Sequence, residues 1–261
     1  SSVVEAYRQG WLNETALSAL RSPMCRSVLV ESAFAAADVP VYDSTLYEGG
    51  ASLSTADNIL RVGRELGLCS DDADTNALVT RGDAAIILHV VLTQSFRIEE
   101  PPVPVTLVNA AGVNINDYLL ALRQVPEPVL AAFNAAGWTY RIDFDYMGGL
   151  SKKLNMSCIG ATNYSQKTIY LSEASATLHE FGHFLDWMLG FPAEYEQLFR
   201  AEASAAPLRN YAKTDSREYF ADCFAYWVKY AENANAISLL QECAPMTYRY
   251  MEDLMRIANR L

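Results

Sequence analysis

The sequence predicts an α+β protein with a mainly helical first domain and a second domain that combines helices with a small mixed sheet. Up to about residue 97, apolar residues recur at helical spacing, whereas beyond residue 105 short alternating segments stand between helical ones. The segment RIEEPPVPVTL (97–107) lies between them, and its prolines favour extended chain. We predict a helical domain over 1–97, a proline-rich linker over 98–105 and a second domain over 106–261.

Composition narrows the classes of partner. The 261 residues are 51% hydrophobic and carry a formal charge of −11, which disfavours nucleic acid and anionic membrane surfaces as partners. No apolar run has the length of a transmembrane helix, so we expect no transmembrane segment. No signal peptide is visible at Ser1, and the sequence there is typical of a trimmed or mature end.

Four segments of the first domain have helical periodicity. Thr80 and Asp83 suit the start of the last one, because Thr can cap a helix and an acid three residues later can complete the cap. The segments are VVEAYRQGWL, PMCRSVLVESAFAAADV, STADNILRVGRELGL and TRGDAAIILHVVLTQSF.

Two of these helices begin alike. MCRSVLVESAF (24–34) and VTRGDAAIILH (79–89) place Arg26 and Arg81 at equivalent positions, 55 residues apart. The second copy resembles the Thr-Arg-x-acid helix of surface-layer homology repeats, a family that attaches proteins to cell-wall polymers. Two interpretations stay open: two such repeats that bind a wall polymer, or an ordinary helical domain with a chance similarity.

The second domain begins with two predicted helices, broken at Pro126 and Pro128, and a strand. A glycine-containing loop follows, whose residues 147–150 are placed to cover a cleft, and then a hairpin. After the hairpin we predict the helix that contains TLHEFGHFLD and three further helices, the last at the C-terminus. In chain order these segments are NINDYLLALRQVPEPVLAAFNAAG, WTYRIDFDY, YMGGLSKKLNMS, CIGATNYSQKTIYLSE, TLHEFGHFLD, PAEYEQLFRAEAS and SREYFADCFAYWVKYAEN.

The motif His179-Glu180-Phe181-Gly182-His183 predicts a metal centre. On a helix, positions i and i+4 share one face, so both imidazoles can reach one Zn²⁺ at about 2.0–2.1 Å. Glu180 lies on the flank of that face, where it can take a proton from an attacking water molecule. The alternative is a buried histidine pair with no metal. His89, the third histidine, lies inside IILHVVL and is interpreted as a structural residue.

A catalytic zinc site needs a third protein ligand. The pattern HExxHxxGxxH is excluded, because Asp186 and Leu189 stand where it requires glycine and histidine. We predict Glu218 as the third ligand and Asp222, four residues later, as the acceptor for a liganding histidine. The competing interpretation is a capping box formed by Asp215 and Glu218, with Asp222 in solvent. Asp186 is a further candidate for a supporting acid beside the ligands.

The five cysteines, Cys25, Cys69, Cys158, Cys223 and Cys243, form no CxxC pair. Because their number is odd, they cannot all pair in disulfides. Free thiols and a Cys25–Cys69 bridge both remain open.

The segments LHEFGHFLD and YAKTDSREYFADCFA resemble the catalytic domain of anthrax lethal factor and of the clostridial Pro-Pro endopeptidases, over roughly residues 105–261. The resemblance implies a zincin-like fold with one catalytic Zn²⁺, held by His179, His183 and Glu218. It also implies that Tyr211, seven residues before Glu218, stabilises the oxyanion, and that the second acid falls on Asp222, where the family more often has glutamate.

The same resemblance implies that a peptide substrate binds as an extended strand along CIGATNY, beside Gly160, Ala161 and Thr162. It further implies a secreted or cell-surface protein and, for part of the family, cleavage near proline. Our leading hypothesis is a zinc endopeptidase. The alternatives are a zinc amidase acting on cell-wall peptides, and a non-catalytic wall-binding protein with a vestigial protease fold.

Overall fold

The computed structural model describes residues 7–10, 23–70, 74–96 and 98–258. It divides the chain into two compact units, Ser1–Pro102 and Val103–Leu261. The boundary between them lies inside the proline-rich segment. Within the described residues, no helix is both long enough and apolar enough to cross a membrane.

The described part of the N-terminal unit contains three α-helices: α1 (Arg26–Ala36), α2 (Thr55–Glu65) and α3 (Arg81–Thr93). A 3₁₀ turn, Ser44–Leu46, precedes α2. Thr80 and Asp83 form the expected reciprocal capping box at the start of α3. The core brings together side chains from all three helices, among them Val30, Phe34, Leu60, Val62 and Ile87. The helix predicted over VVEAYRQGWL lies mostly outside the described residues.

The two similar segments of this unit pair with each other just before their helices. Cys25 and Leu78 form an antiparallel bridge, and the N–H groups of Arg26 and Val79 donate to the carbonyls of Ala77 and Met24. The Arg26 guanidinium also lies 3.6 Å from the Asp83 carboxylate. This pairing relates α1 to α3, whereas the resemblance to surface-layer homology repeats stays a prediction.

The C-terminal unit is built on a four-stranded mixed sheet in the order β1-β2-β4-β3. Strands β1 (Leu107–Asn109), β2 (Thr139–Ile142) and β4 (Thr168–Leu171) are parallel. Strand β3 (Gly160–Asn163) lies at one edge and is antiparallel to β4, as the predicted hairpin requires. Among the described residues, one side of β3 therefore has no strand partner.

Eight helices are described in this unit. Two, α4 (Asn116–Leu122) and α5 (Glu127–Ala135), are separated by a segment that ends at Pro126, as predicted, whereas Pro128 lies inside the first turn of α5, where proline is tolerated. They are followed by α6 (Phe144–Leu154), α7 (Thr177–Met188), α8 (Ala193–Glu202), α9 (Ser216–Lys229), α10 (Ala234–Cys243) and α11 (Pro245–Ala258). Where one C-terminal helix was predicted there are two, because Pro245 begins a new helix, a position that proline favours.

The predicted glycine loop over residues 147–150 is wrong. These residues lie in α6, which is separated from the end of β2 by Asp143 alone, so the observed strand is shorter than the predicted one. The Asp143 carboxylate caps the helix by accepting from the Tyr146 N–H, and Met147 is buried. Asn155 ends it in the left-handed conformation. Capping and burial thus outweigh the low helix propensity of two adjacent glycines.

None of the five cysteines forms a disulfide, and only Cys223 among them is buried. The Cys25–Cys69 bridge that the sequence left open is not formed.

Helices α7 and α9 approach closely at Gly182. A Cβ atom at this position would lie 2.6 Å from the Cα and 2.8 Å from the carbonyl oxygen of Ala221. Any side chain here would have to push the two backbones apart. Since α7 carries two of the predicted metal ligands and α9 the third, this contact sets the distance between them.

We expect Gly182→Ala to destabilise the C-terminal unit by about 1–3 kcal/mol, the usual cost of overpacking. Thermal unfolding followed by circular dichroism would measure the loss. Gly148→Ala is the matched control, because Gly148 is also inside a helix but a Cβ there meets no atom within 4 Å. That substitution should be neutral or stabilising, by up to about 1 kcal/mol. Equal melting temperatures for the two variants would contradict the role of the α7–α9 contact.

Candidate functional site

Three side chains converge between α7 and α9. The Nε2 atoms of His179 and His183 are 3.1 Å apart, and the Glu218 Oε2 atom lies 3.1 Å from the first and 3.5 Å from the second. The two histidines face the same point because they are one helical turn apart on α7. Glu218, in the first turn of α9, faces them across the helix contact. These three residues form a group able to hold a metal ion.

The donor set and its spacing fit zinc. Ligands at 2.0–2.1 Å in a tetrahedron are about 3.3–3.4 Å apart, close to the three distances observed. Glu218 Oε2 is buried and, within the described part of the chain, makes no well-formed hydrogen bond, as expected of an atom that binds a metal. Two histidines and a glutamate are also one of the ligand sets of catalytic zinc sites. Burial alone would raise the pKa of Glu218, but its two histidine neighbours lower it below the usual value.

Asp222 orients the first histidine. One turn after Glu218 on α9, its Oδ1 atom lies 2.6 Å from Nδ1 of His179. Because a carboxylate only accepts, Nδ1 carries the proton and Nε2 faces the other two predicted ligands. Burial lowers the pKa of His179, but the neighbouring carboxylates of Asp222 and Glu218 outweigh this effect and raise the pKa to about 9. The side chain of Asp222 is 8% exposed, so it is not the solvated residue of the competing interpretation.

Glu180 is held between a hydroxyl group and a glycine of the edge strand. Thr162 Oγ1 donates to the Glu180 Oε2 atom at 2.7 Å. The other oxygen lies over Gly160, where a Cβ atom would come within 2.5 Å of it. The sequence pointed to both β3 residues as a substrate edge. In the structure they also fix the position of the predicted general base.

Tyr211 lies at the mouth of the same site. It belongs to a 3₁₀ turn, Asn210–Lys213, and its ring centroid is 6.3 Å from that of His179. The side chain is 41% exposed. Burial, and then the nearby Glu218 carboxylate, raise the pKa of Tyr211 to about 12, so the phenol keeps its proton at neutral pH and can donate it.

These side chains line one open cleft with a volume of about 890 Å³. The edge strand forms one wall, and the loop that carries Tyr211 borders another part. Apolar side chains of α6 and of the segment after it line a further part of the cleft, among them Leu150, Leu154 and Ile159. The exposed cations Arg217 and Lys229 lie at its rim. The cleft can therefore accept a chain longer than a single residue.

Arg209 is part of the site although the sequence did not point to it. Its Nε and Nη2 atoms donate to the two oxygens of Asp222 at 2.6 and 2.7 Å. The only signal in the sequence was a cation two residues before Tyr211, which no spacing rule selects.

The structure also places the remaining residues that the sequence analysis considered. Asp215 does cap α9, by accepting from the N–H groups of Arg217 and Glu218, while the Glu218 side chain faces the histidines. Asp186 is buried one turn after His183, and burial raises its pKa to about 6. Among the described residues no hydrogen bond joins it to His183, whose Nδ1 atom has no partner. Ala161 lies on β3, and His89 lies in the N-terminal unit.

Residues 142–254 match the family described as anthrax toxin lethal factor, N- and C-terminal domain. This part of the chain is similar to the lethal factor family. The matched range contains every residue of the site described above and none of the N-terminal unit.

Among solved structures, the chain is similar to the Pro-Pro endopeptidase PPEP-2 from Paenibacillus alvei, with 19% sequence identity and a TM-score of 0.45. The similarity covers 57% of this chain and 96% of that one. No curated protein matches the chain in sequence.

The site predicts one zinc ion per chain. After loading with zinc and desalting, we expect about one equivalent in the wild type and less than a tenth of that in His183→Ala, because two ligands hold zinc far more weakly than three. Zinc content would be measured by inductively coupled plasma mass spectrometry. His89→Ala removes a histidine from the N-terminal unit and should keep the full equivalent. Retention of zinc by folded His183→Ala would exclude this site.

Proposed function

We propose that the protein is a zinc-dependent endopeptidase that hydrolyses peptide bonds in extended segments of protein substrates. One observation carries the proposal: three predicted metal ligands, a carboxylate held beside them and a protonated phenol all face one open cleft. The lethal factor family match over residues 142–254 supports a peptidase.

Each side chain then has a chemical task. A zinc ion held by His179, His183 and Glu218 would polarise the scissile carbonyl and lower the pKa of the attacking water. Glu180 accepts a proton from that water and passes it to the leaving amine. Thr162 keeps the Glu180 carboxylate in place. Tyr211 donates a hydrogen bond to the carbonyl oxygen as it becomes negatively charged.

The edge strand supplies backbone groups for a substrate. The Ser172 N–H donates to the Ile159 carbonyl, so Ile159 and Ser172 are a hydrogen-bonded pair at the start of the β3–β4 ladder. Because pairing alternates in an antiparallel ladder, the backbone groups of Gly160 and Thr162 face away from β4. Those of Ala161 are directed at β4. A peptide that binds as a further strand would thus pair with Gly160 and Thr162.

We also propose that cleavage occurs near proline. The support is the resemblance of LHEFGHFLD and YAKTDSREYFADCFA to the Pro-Pro endopeptidases, together with the apolar wall of the cleft. A secreted or surface location, and binding of a cell-wall polymer by the N-terminal unit, are further proposals that rest on sequence resemblance alone.

The function is tested by cleavage of a proline-centred peptide library, with the products identified by mass spectrometry. Glu180→Gln should lower kcat by about 10²–10⁴ and Tyr211→Phe by about 10²–10³, the usual losses of a general base and an oxyanion donor. Both variants should still bind zinc.

Glu196→Gln and Tyr248→Phe make the same chemical changes outside the cleft and should cleave as the wild type does. If the zinc-loaded wild type cuts cell-wall peptides but no library member, the amidase alternative replaces the proposal. Cleavage by zinc-loaded Glu180→Gln at the wild-type rate would exclude Glu180 as the base.

Pairing with the edge strand predicts a position-dependent effect of backbone methylation. N-methylation of a cleaved peptide removes one N–H at a time, and it should raise KM about tenfold at the positions that face Gly160 and Thr162, since a hydrogen bond contributes about 1 kcal/mol and the methyl group obstructs the pairing. The alternate positions, which face away from β3, should tolerate the change. A uniform response along the peptide would argue against binding as a strand.

A further inference from the structure

Arg209 stands between two parts of the proposed active site that belong to different segments of the chain. It precedes the 3₁₀ turn Asn210–Lys213 as its N-cap residue, so it is on the loop that carries Tyr211. Its side chain leaves this loop and reaches Asp222 on α9. Asp222 in turn holds His179 on α7. One cation therefore connects the loop, α9 and α7.

The contact with Asp222 fixes an orientation as well as a distance. Two guanidinium nitrogens, Nε and Nη2, bind the two carboxylate oxygens separately, which prevents the carboxylate from rotating. Nη2 is also 3.0 Å from Nδ1 of His179. The guanidinium Nη2 can only donate, and the protonated Nδ1 of His179 is also a donor, so these two nitrogens do not bond to each other. Both instead donate to the Oδ1 atom of Asp222. The histidine ring is thereby held at a carboxylate that is itself immobilised.

The second contact is with Tyr211. The guanidinium carbon of Arg209 lies 5.3 Å from the centre of the Tyr211 ring, within the range of a cation–π contact. The backbone reinforces this arrangement, because the Ala212 N–H donates to the Arg209 carbonyl. Movement of the Arg209 side chain would thus release the aromatic ring as well as the carboxylate.

The pair contributes geometry as well as stability. The side chain of Arg209 is 54% exposed, whereas that of Asp222 is 8% exposed, so loss of the arginine would leave a largely buried carboxylate with less compensation for its charge. The pair also fixes geometry at the two ends of the cation, the imidazole of His179 and the phenol of Tyr211.

We propose that Arg209 is a positioning residue that couples the metal ligand His179 to the oxyanion donor Tyr211, through Asp222 on one side and its cation–π contact on the other. The Tyr211 part rests on the proposed peptidase function. The His179 part does not, and it can be measured without a substrate.

The first experiment measures zinc affinity by competition with a chromogenic chelator. We expect Arg209→Gln to weaken zinc binding about tenfold or more, the usual effect of losing a residue that supports a metal ligand. Arg209→Lys should recover little, because lysine restores the charge but not the two-point contact. Arg200→Gln is the matched control: Arg200 pairs with Glu196 on the exposed face of α8 and should leave the affinity unchanged.

The outcomes separate clearly. Wild-type zinc affinity in Arg209→Gln, or full recovery in Arg209→Lys, would overturn the orienting role. The melting temperatures of all variants are compared in parallel, so that a loss of folding is recognised. Asp222→Asn provides a second test, because it changes the carboxylate through which Arg209 is proposed to act. In an Asp222→Asn background, Arg209→Gln should have less than twofold further effect on zinc affinity, and a tenfold further effect would overturn the route through Asp222.

The second experiment is a double-mutant cycle with Tyr211→Phe, measured as kcat and KM at saturating zinc. Arg209→Gln alone should lower kcat about tenfold with less change in KM, and it should cost clearly less once the phenol is gone. Additive losses would overturn the coupling to Tyr211. If the zinc-loaded wild type cleaves no peptide, the proposed peptidase function fails, while the chelator competition still tests the orienting role.

Discussion

The close approach of α7 and α9 is the constraint on which the rest of the site depends. Two predicted ligands belong to one helix and the third to the other, so their separations of 3.1–3.5 Å depend on the close approach of the backbones at Gly182 and Ala221. Zinc tolerates little variation in ligand distance. The glycine inside the HEFGH motif, which no metal chemistry requires, is thus as important for the geometry as the ligands on either side of it.

Much of this site could be predicted because its chemistry is local in sequence. Two histidines four residues apart must share a helix face, and the glutamate after the first must lie on its flank. Elimination of the remaining histidine, which lies in the other half, leaves a carboxylate or a cysteine as the third ligand. Glu218 is the best candidate because Asp222 follows it by four residues on the same face of an apolar helix. The structure also resolves whether Glu218 takes part in a helix cap or faces the histidines. Asp215 and Glu218 divide the two tasks, because capping uses Asp215 and leaves the Glu218 side chain free.

What could not be predicted depends on contacts between distant segments. Arg209 meets Asp222 across a loop, and loop conformation follows no periodicity, so nothing in LRNYAKT distinguishes this arginine from others. The contact of Thr162 with Glu180 depends on the packing of an edge strand against α7. Helix α6 differs from the predicted loop because the two adjacent glycines have a low helix propensity, which favours a loop. In the structure, the cap at Asp143 and the burial of Met147 outweigh that propensity.

The length of the edge strand limits what this protein can recognise. With four residues in β3, only Gly160 and Thr162 direct backbone groups outward, so few main-chain hydrogen bonds are available to any partner. A segment that docks there must have its own backbone groups unoccupied, which excludes helices and the interior strands of folded domains. Proline-rich stretches leave their carbonyl groups unoccupied, because polyproline II chain forms no internal hydrogen bonds, and their prolines, which lack an N–H, fit the alternate positions that do not pair with β3. Accessible sites in a folded target would therefore lie in its linkers and tails, and the target could be cut without being unfolded first.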